Sequence, residues 1–141
     1  MDREIRERAE SLVKEMTLDE KTGMLHGARL FETAGIPRLG IPPLKMSDGP
    51  MGVRHEFEGT RWKTIGHSDD YVTYLPCNSA LAATWNRTLA GEIGSVLGEE
   101  ARGRGKDVIL APGINIKRSP LCGRNFEYFS EDPYLAGELG A

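Results

Sequence analysis

The stretch Val108-Ile109-Leu110-Ala111-Pro112-Gly113, followed by Leu121-Cys122-Gly123-Arg124-Asn125-Phe126-Glu127-Tyr128-Phe129-Ser130-Glu131-Asp132-Pro133, decides how this chain folds. The apolar run Val108 to Ala111, closed by a proline and a glycine, predicts a short buried strand. Beyond it, one arginine, three acids and three aromatics crowd between Arg124 and Asp132. A buried strand opening into such a loop is where an α/β barrel carries its active site. Asp132 then suits an N-cap and Pro133 the first helical position, so a helix is expected from there on, with nothing in the sequence to end it.

Upstream of that stretch, Asn86 caps an expected helix running to about Gly103, with Leu89, Ile93, Val96, Leu97 and Ala101 on one face and Gly103 and Gly105 marking its end. A shorter helix is expected over Asn78 to Thr84. Before it, Glu56 to Tyr74 is polar and patternless and reads as a long loop, a class that in compact domains is usually functional or disordered. Leu44 to Ser47 reads as another strand, ending at the turn-rich loop Asp48-Gly49-Pro50-Met51-Gly52-Val53-Arg54. The prolines and glycines of Gly35 to Pro43 exclude a helix and predict extended chain. At the N-terminus, Arg3 to Met16 has apolar residues at three-to-four-residue intervals, and Thr17-Leu18-Asp19-Glu20 matches a capping box that starts a second helix through about Leu25. Strands alternating with helices imply a parallel sheet joined by right-handed crossovers.

A chain of 141 residues is one domain's worth but short of the roughly 250 of a (β/α)8 barrel. The expected fold is therefore α/β, a partial (β/α)8 TIM-barrel-like domain that stops after about two strands. The 18 basic and 21 acidic residues are unsegregated, which argues against a nucleic-acid partner. No run approaches a membrane span and the charged N-terminus is no signal peptide, so a cytoplasmic protein without a membrane partner is expected. Cys77 and Cys122 fit a reducing compartment. His26, His55 and His67 have no metal-ligand spacing, and no cofactor is expected.

Asp48 falls just past the end of the first strand and Arg124 in the loop after the second. In a parallel barrel those ends are neighbours, and a carboxylate beside a guanidinium suits a polyhydroxylated ligand through charge-assisted hydrogen bonds. Taken singly, Asp48 reads as a turn cap through Gly49 and Gly52, and Arg124 as an ion pair with Glu127 or Glu131 that ties the loop down. Their placement at consecutive strand ends favours a site.

Four blocks carry a family resemblance: Met16 to Lys21, Gly35 to Pro42, Ser47 to Arg54, and Ala111 to Pro120 with Gly123 to Glu127. In their order and content they resemble the N-terminal part of a glycoside hydrolase family 3 β-glucosidase, across nearly the whole chain. The resemblance implies that Asp48 and Arg124 bind hydroxyls of a nonreducing-end sugar and that Arg54 has a lesser role near the mouth of the site. It implies a retaining, exo-acting enzyme that hydrolyses O-glycosyl bonds of a β-glucoside or oligosaccharide and releases β-D-glucose. β-Xylosidase activity is the alternative within that class. Outside it stand a catalytically silent fragment and a sugar-binding module.

Retaining hydrolysis needs two carboxyl groups about 5 to 5.5 Å apart. By the resemblance both lie beyond Ala141, with a sugar-gripping Lys-His pair, so residues 1–141 are expected to be an N-terminal portion of the barrel domain that holds no catalytic residue. Glu127 does not replace them: it reads as the positioning partner of Arg124, and a carboxylate so paired has a lowered pKa, the wrong direction for a general acid. Trp85, beside a helix cap, reads as core, and Trp62, in the polar loop, as a possible flank of an acceptor site. Cys122 has no identifiable catalytic partner and is assigned to packing. Oligomeric state is left open.

Overall fold

The computed structural model describes residues 2–55, 58, 60, 61, 63 and 71–141. The chain is an α/β protein, and its residues fall into two units. In the first, α1 spans Arg3–Glu15 with Asp2 as N-cap, and α2 spans Leu18–Gly23. The capping box forms as expected: Glu20 N–H donates to Thr17 Oγ1 at 3.3 Å and Thr17 N–H to Glu20 Oε2 at 2.8 Å. Glu20 also receives Arg38, whose Nε and Nη2 reach its carboxylate at 2.7 and 2.5 Å while Nη2 donates to the Glu15 carbonyl at 2.8 Å. These donors, Arg38 first, hold the Glu20 carboxyl down at about 2.

Two features of this unit depart from expectation. Pro37–Leu39 is a 3-10 turn inside the stretch expected to be extended. Proline's fixed φ is compatible with the first position of a helical turn, and the turn is closed by an antiparallel bridge between Ile36 and Ile41. A hairpin pairs β1 (Gly27–Arg29) antiparallel with β2 (Glu32–Thr33), strands too short to show any periodicity in sequence.

The second unit opens with β3, Met46–Asp48, two residues later than the expected strand start. The next elements are α3 (Asn78–Ala82), α4 (Arg87–Gly103), β4 (Val108–Leu110), a 3-10 turn at Asn125–Glu127 and α5 (Pro133–Gly140). Asn86 caps α4 by accepting from Leu89 N–H at 3.1 Å, and Lys106 N–H closes its other end on the Ala101 carbonyl at 3.0 Å. Asp132 caps α5 through Tyr134 N–H at 2.9 Å. The crossover delivers β4 parallel to β3, in the register Met46 to Val108, Ser47 to Ile109 and Asp48 to Leu110.

Two apolar clusters hold this unit together. Leu97 and Ala101 of α4 pack with Val53 and Leu75, while Leu81, Ala82, Phe129, Ala136 and Leu139 form the other. Ile93 packs against both. Three expectations about burial are corrected. β4 stops at Leu110, one residue early, and is covered on one face only: Ile109 packs on the Leu97 and Ala101 cluster, while Val108 and Leu110 on the opposite face are 37% and 49% exposed. Val96 faces outward on α4, since the buried stripe runs through Leu97 and Ala101 one turn apart. Trp85 is 73% exposed rather than core: it sits in the turn between α3 and α4, at a φ of 54°, and is a member of neither cluster.

Candidate functional site

Asp48 is the last residue of β3, not the first of the loop, and its position is set by the two glycines that follow. Gly49 and Gly52 have φ of 125° and 142°; a Cβ at Gly49 would stand 1.8 Å from the Gly52 carbonyl oxygen, and one at Gly52 would stand 2.6 Å from that of Thr73. Only glycine accepts this backbone. The chain therefore doubles back, so that Arg54 N–H donates to the Asp48 carbonyl at 3.3 Å and Leu75 N–H to Met51 at 2.8 Å. The same reversal sets Arg54 Nη1 3.1 Å from Asp48 Oδ2, with the two side chains 21% and 41% exposed. Arg54 thus holds one carboxylate oxygen. Oδ1 has no protein donor among the described residues.

The 3-10 turn at Asn125–Glu127 brings Arg124 and Glu127 to the same side of their loop, and the two pair side-on through one edge of the guanidinium. Nε donates to Oε1, and Nη2 to Oε2 at 3.1 Å. Glu127 is 12% exposed and Arg124 71%, so the carboxylate is the fixed member and the arginine the presented one. Arg124 holds the Glu127 carboxyl below its ordinary value, chiefly through this hydrogen bond, and Glu127 raises Arg124 in return. A carboxylate kept ionised in this way is no general acid. Two of the five guanidinium N–H donors are spent on Glu127, and the others meet no protein acceptor among the described residues.

Asp48, Arg54, Arg124 and Glu127 line one cleft of about 570 Å³ at the C-terminal end of the parallel pair. Leu110, the register partner of Asp48, lines it too, with Tyr74, Asn115 and Tyr128. The structure thus gives Arg124 its loop-tying ion pair and places it in the same cleft as Asp48. A volume of this order falls within the range of small-molecule sites. Sequence reasoning missed Tyr74, Asn115 and Tyr128, for no motif distinguishes a polar or aromatic loop residue facing a cleft from one facing solvent.

The remaining sequence candidates stay apart from the cleft or undescribed. Trp62 and His67, with most of the expected long loop, lie outside the described residues. His26 and His55 do not line the cleft. Cys122 is exposed, so the packing role expected for it is corrected: its loop leaves the core between Pro120 and Gly123. Among the described residues no three His, Cys, Asp or Glu side chains cluster to hold a metal ion, and no helix is long and apolar enough to cross a membrane.

Residues 47–141 match the model of the glycosyl hydrolase family 3 N terminal domain. The chain is 52% identical over 132 residues to the β-glucosidase BoGH3A of Bacteroides ovatus, covering 94% of this chain and 18% of that protein. It is 48% identical over 130 residues to the thermostable β-glucosidase B of Acetivibrio thermocellus, covering 92% of this chain and 17% of the relative. The structure of β-glucosidase 3B from Thermotoga neapolitana in complex with α-D-glucose superposes with a TM-score of 0.81 at 40% identity, over 94% of this chain and 20% of that one. The chain thus spans between about a seventh and a fifth of the length of the proteins it matches.

Proposed function

The chain belongs to glycosyl hydrolase family 3, and on that premise we propose that it carries part of the sugar-binding subsite of a retaining, exo-acting β-glucosidase. β3 and β4 with their crossover are then the opening strands of a (β/α)8 barrel, and the cleft at their C-terminal ends is the place where such barrels bind substrate. One observation carries the proposal. A carboxylate with one oxygen held and the other open shares a cleft with a guanidinium whose remaining donors are open, an arrangement that can accept from one sugar hydroxyl while donating to another. The β-glucosidase names of the relatives and the bound glucose of the Thermotoga enzyme support glucose as the sugar.

On this proposal Arg54 serves the site by orienting Asp48, a reading that its contact to Oδ2 supports and that stands for the lesser role the family resemblance implies. Nucleophile and acid/base belong, on this proposal, outside residues 1–141. A cytoplasmic location is part of the same proposal and is checked by cell fractionation. The test of function is hydrolysis of p-nitrophenyl β-glucoside and β-xyloside by the full-length gene product, with the anomer of the first-formed sugar read by NMR. Preferred cleavage of the glucoside with initial release of the β-anomer is expected. Release of the α-anomer first would refute retention, and xyloside preference would refute the substrate. The purified 141-residue chain is expected to hydrolyse neither.

A further inference from the structure

The turn that presents Arg124 is held from behind by side chains that no sequence motif marks. A three-residue 3-10 turn leaves most of its carbonyls without backbone donors. At Asn125–Glu127 the Tyr128 N–H reaches the Asn125 carbonyl, and the first two residues of α3 supply side-chain donors to the turn. Asn78, 3% exposed, donates from Nδ2 to the Glu127 carbonyl at 2.8 Å. The Ser79 hydroxyl stands 3.1, 3.2 and 3.1 Å from the carbonyls of Asn125, Phe126 and Tyr128. Lys117 Nζ lies 2.6 Å from the same hydroxyl.

The chemistry of the three groups fixes the direction of each bond. An ammonium can only donate, so Ser79 Oγ must accept from Lys117, and the hydroxyl's single proton is left for the carbonyl side. Lys117 thus orients Ser79, and Ser79 stands within reach of two carbonyls of the turn, Asn125 and Phe126, and of the carbonyl of Tyr128 just after it. The contacts lie 46 to 49 positions apart in the chain, so they bind the turn to a helix that has its own place in the core.

We propose that Ser79, oriented by Lys117 and assisted by Asn78, is a positioning residue for sugar binding: it sets the backbone of Asn125 to Tyr128 so that Arg124 meets the ligand at a fixed angle. This rests on the assignment of Arg124 to the sugar site. Ser79 itself does not line the cleft that Asp48 and Arg124 share, so its role runs through the backbone of the turn.

The test is a double-mutant cycle in the full-length gene product, read by the glucose inhibition constant and by thermal melts. Ser79→Ala is expected to weaken glucose inhibition about tenfold with a melting temperature within a few degrees of wild type, and Ser79→Thr, which keeps the hydroxyl, to restore it. In the Arg124→Lys background the same Ser79→Ala change is expected to add less than twofold, because the group it positions is already gone. A lowered melting temperature with unchanged inhibition, or a full tenfold effect in the Arg124→Lys background, would overturn the positioning role. Arg124→Lys alone leaving inhibition unchanged would instead refute the sugar-site assignment. Should Ser79→Ala not accumulate as folded protein, Lys117→Met is read through the same cycle, with a threefold or larger weakening expected and no change overturning the proposal.

Discussion

Replacing Asp48 by asparagine changes one charge and almost no volume, and the structure fixes what that change should do. Asp48 Oδ2 is held by Arg54 Nη1 at 3.1 Å, and Asp48 lines the cleft. Asparagine keeps one acceptor and turns the other into a donor. The one charge-assisted bond that the open oxygen can accept from a sugar hydroxyl is then lost, about 1.5–3 kcal/mol. That corresponds to a loss of about 10 to 10² in kcat/KM. On the stability side, the Asp48–Arg54 pair has side chains 41% and 21% exposed, so solvent screens it, and its loss should cost no more than about 1 kcal/mol. The assay is aryl β-glucoside hydrolysis by the full-length Asp48→Asn protein beside urea melts. A kcat/KM within threefold of wild type, about 0.65 kcal/mol, would return Asp48 to a purely structural partnership with Arg54.

Further outcomes are expected from the same geometry. Arg124→Lys keeps the charge but loses the fork that binds Glu127 at two points; glucose inhibition should weaken about ten- to a hundredfold, and an unchanged inhibition constant with a lower melting point would assign Arg124 to loop stability alone. Gly49→Ala sets a Cβ 1.8 Å from the Gly52 carbonyl oxygen, so chemical denaturation should show a loss of about 2–4 kcal/mol, and a loss under 0.5 would contradict the reversed loop. Glu20, whose carboxyl is drawn from 4.5 down to about 2 chiefly by Arg38, binds its proton less readily folded than unfolded. Its contribution is therefore complete above about pH 4.5 and lost as the pH falls through about 2. An NMR titration of the Glu20 carboxyl should place its midpoint near 2 in the native chain and near the ordinary carboxylate value in Arg38→Ala, and a midpoint at the ordinary value in both would refute the pairing.

The sequence by itself determined the elements whose causes lie within a few residues. The Thr17–Glu20 capping box, the Asn86 and Asp132 caps, the length of α4 and the Arg124–Glu127 pair are all interactions between neighbours in the chain, so residue type and spacing suffice to predict them. The parallel pairing of β3 with β4 also followed, because a strand, two helices and a strand leave few other topologies. Only the tertiary structure decided what depends on partners far along the chain. Whether β4 is covered, whether Trp85 is core, and where Cys122 points are set by which segments pack against them, and apolar character alone overstated their burial. The 3-10 turn at Pro37–Leu39 and the short β1–β2 hairpin fell below the length at which a pattern is visible. The grip of Asn78, Ser79 and Lys117 on the turn behind Arg124 was invisible for the same reason: a serine at the start of a short helix carries no sign of the carbonyls that another loop, brought in by the folded core, will turn toward it.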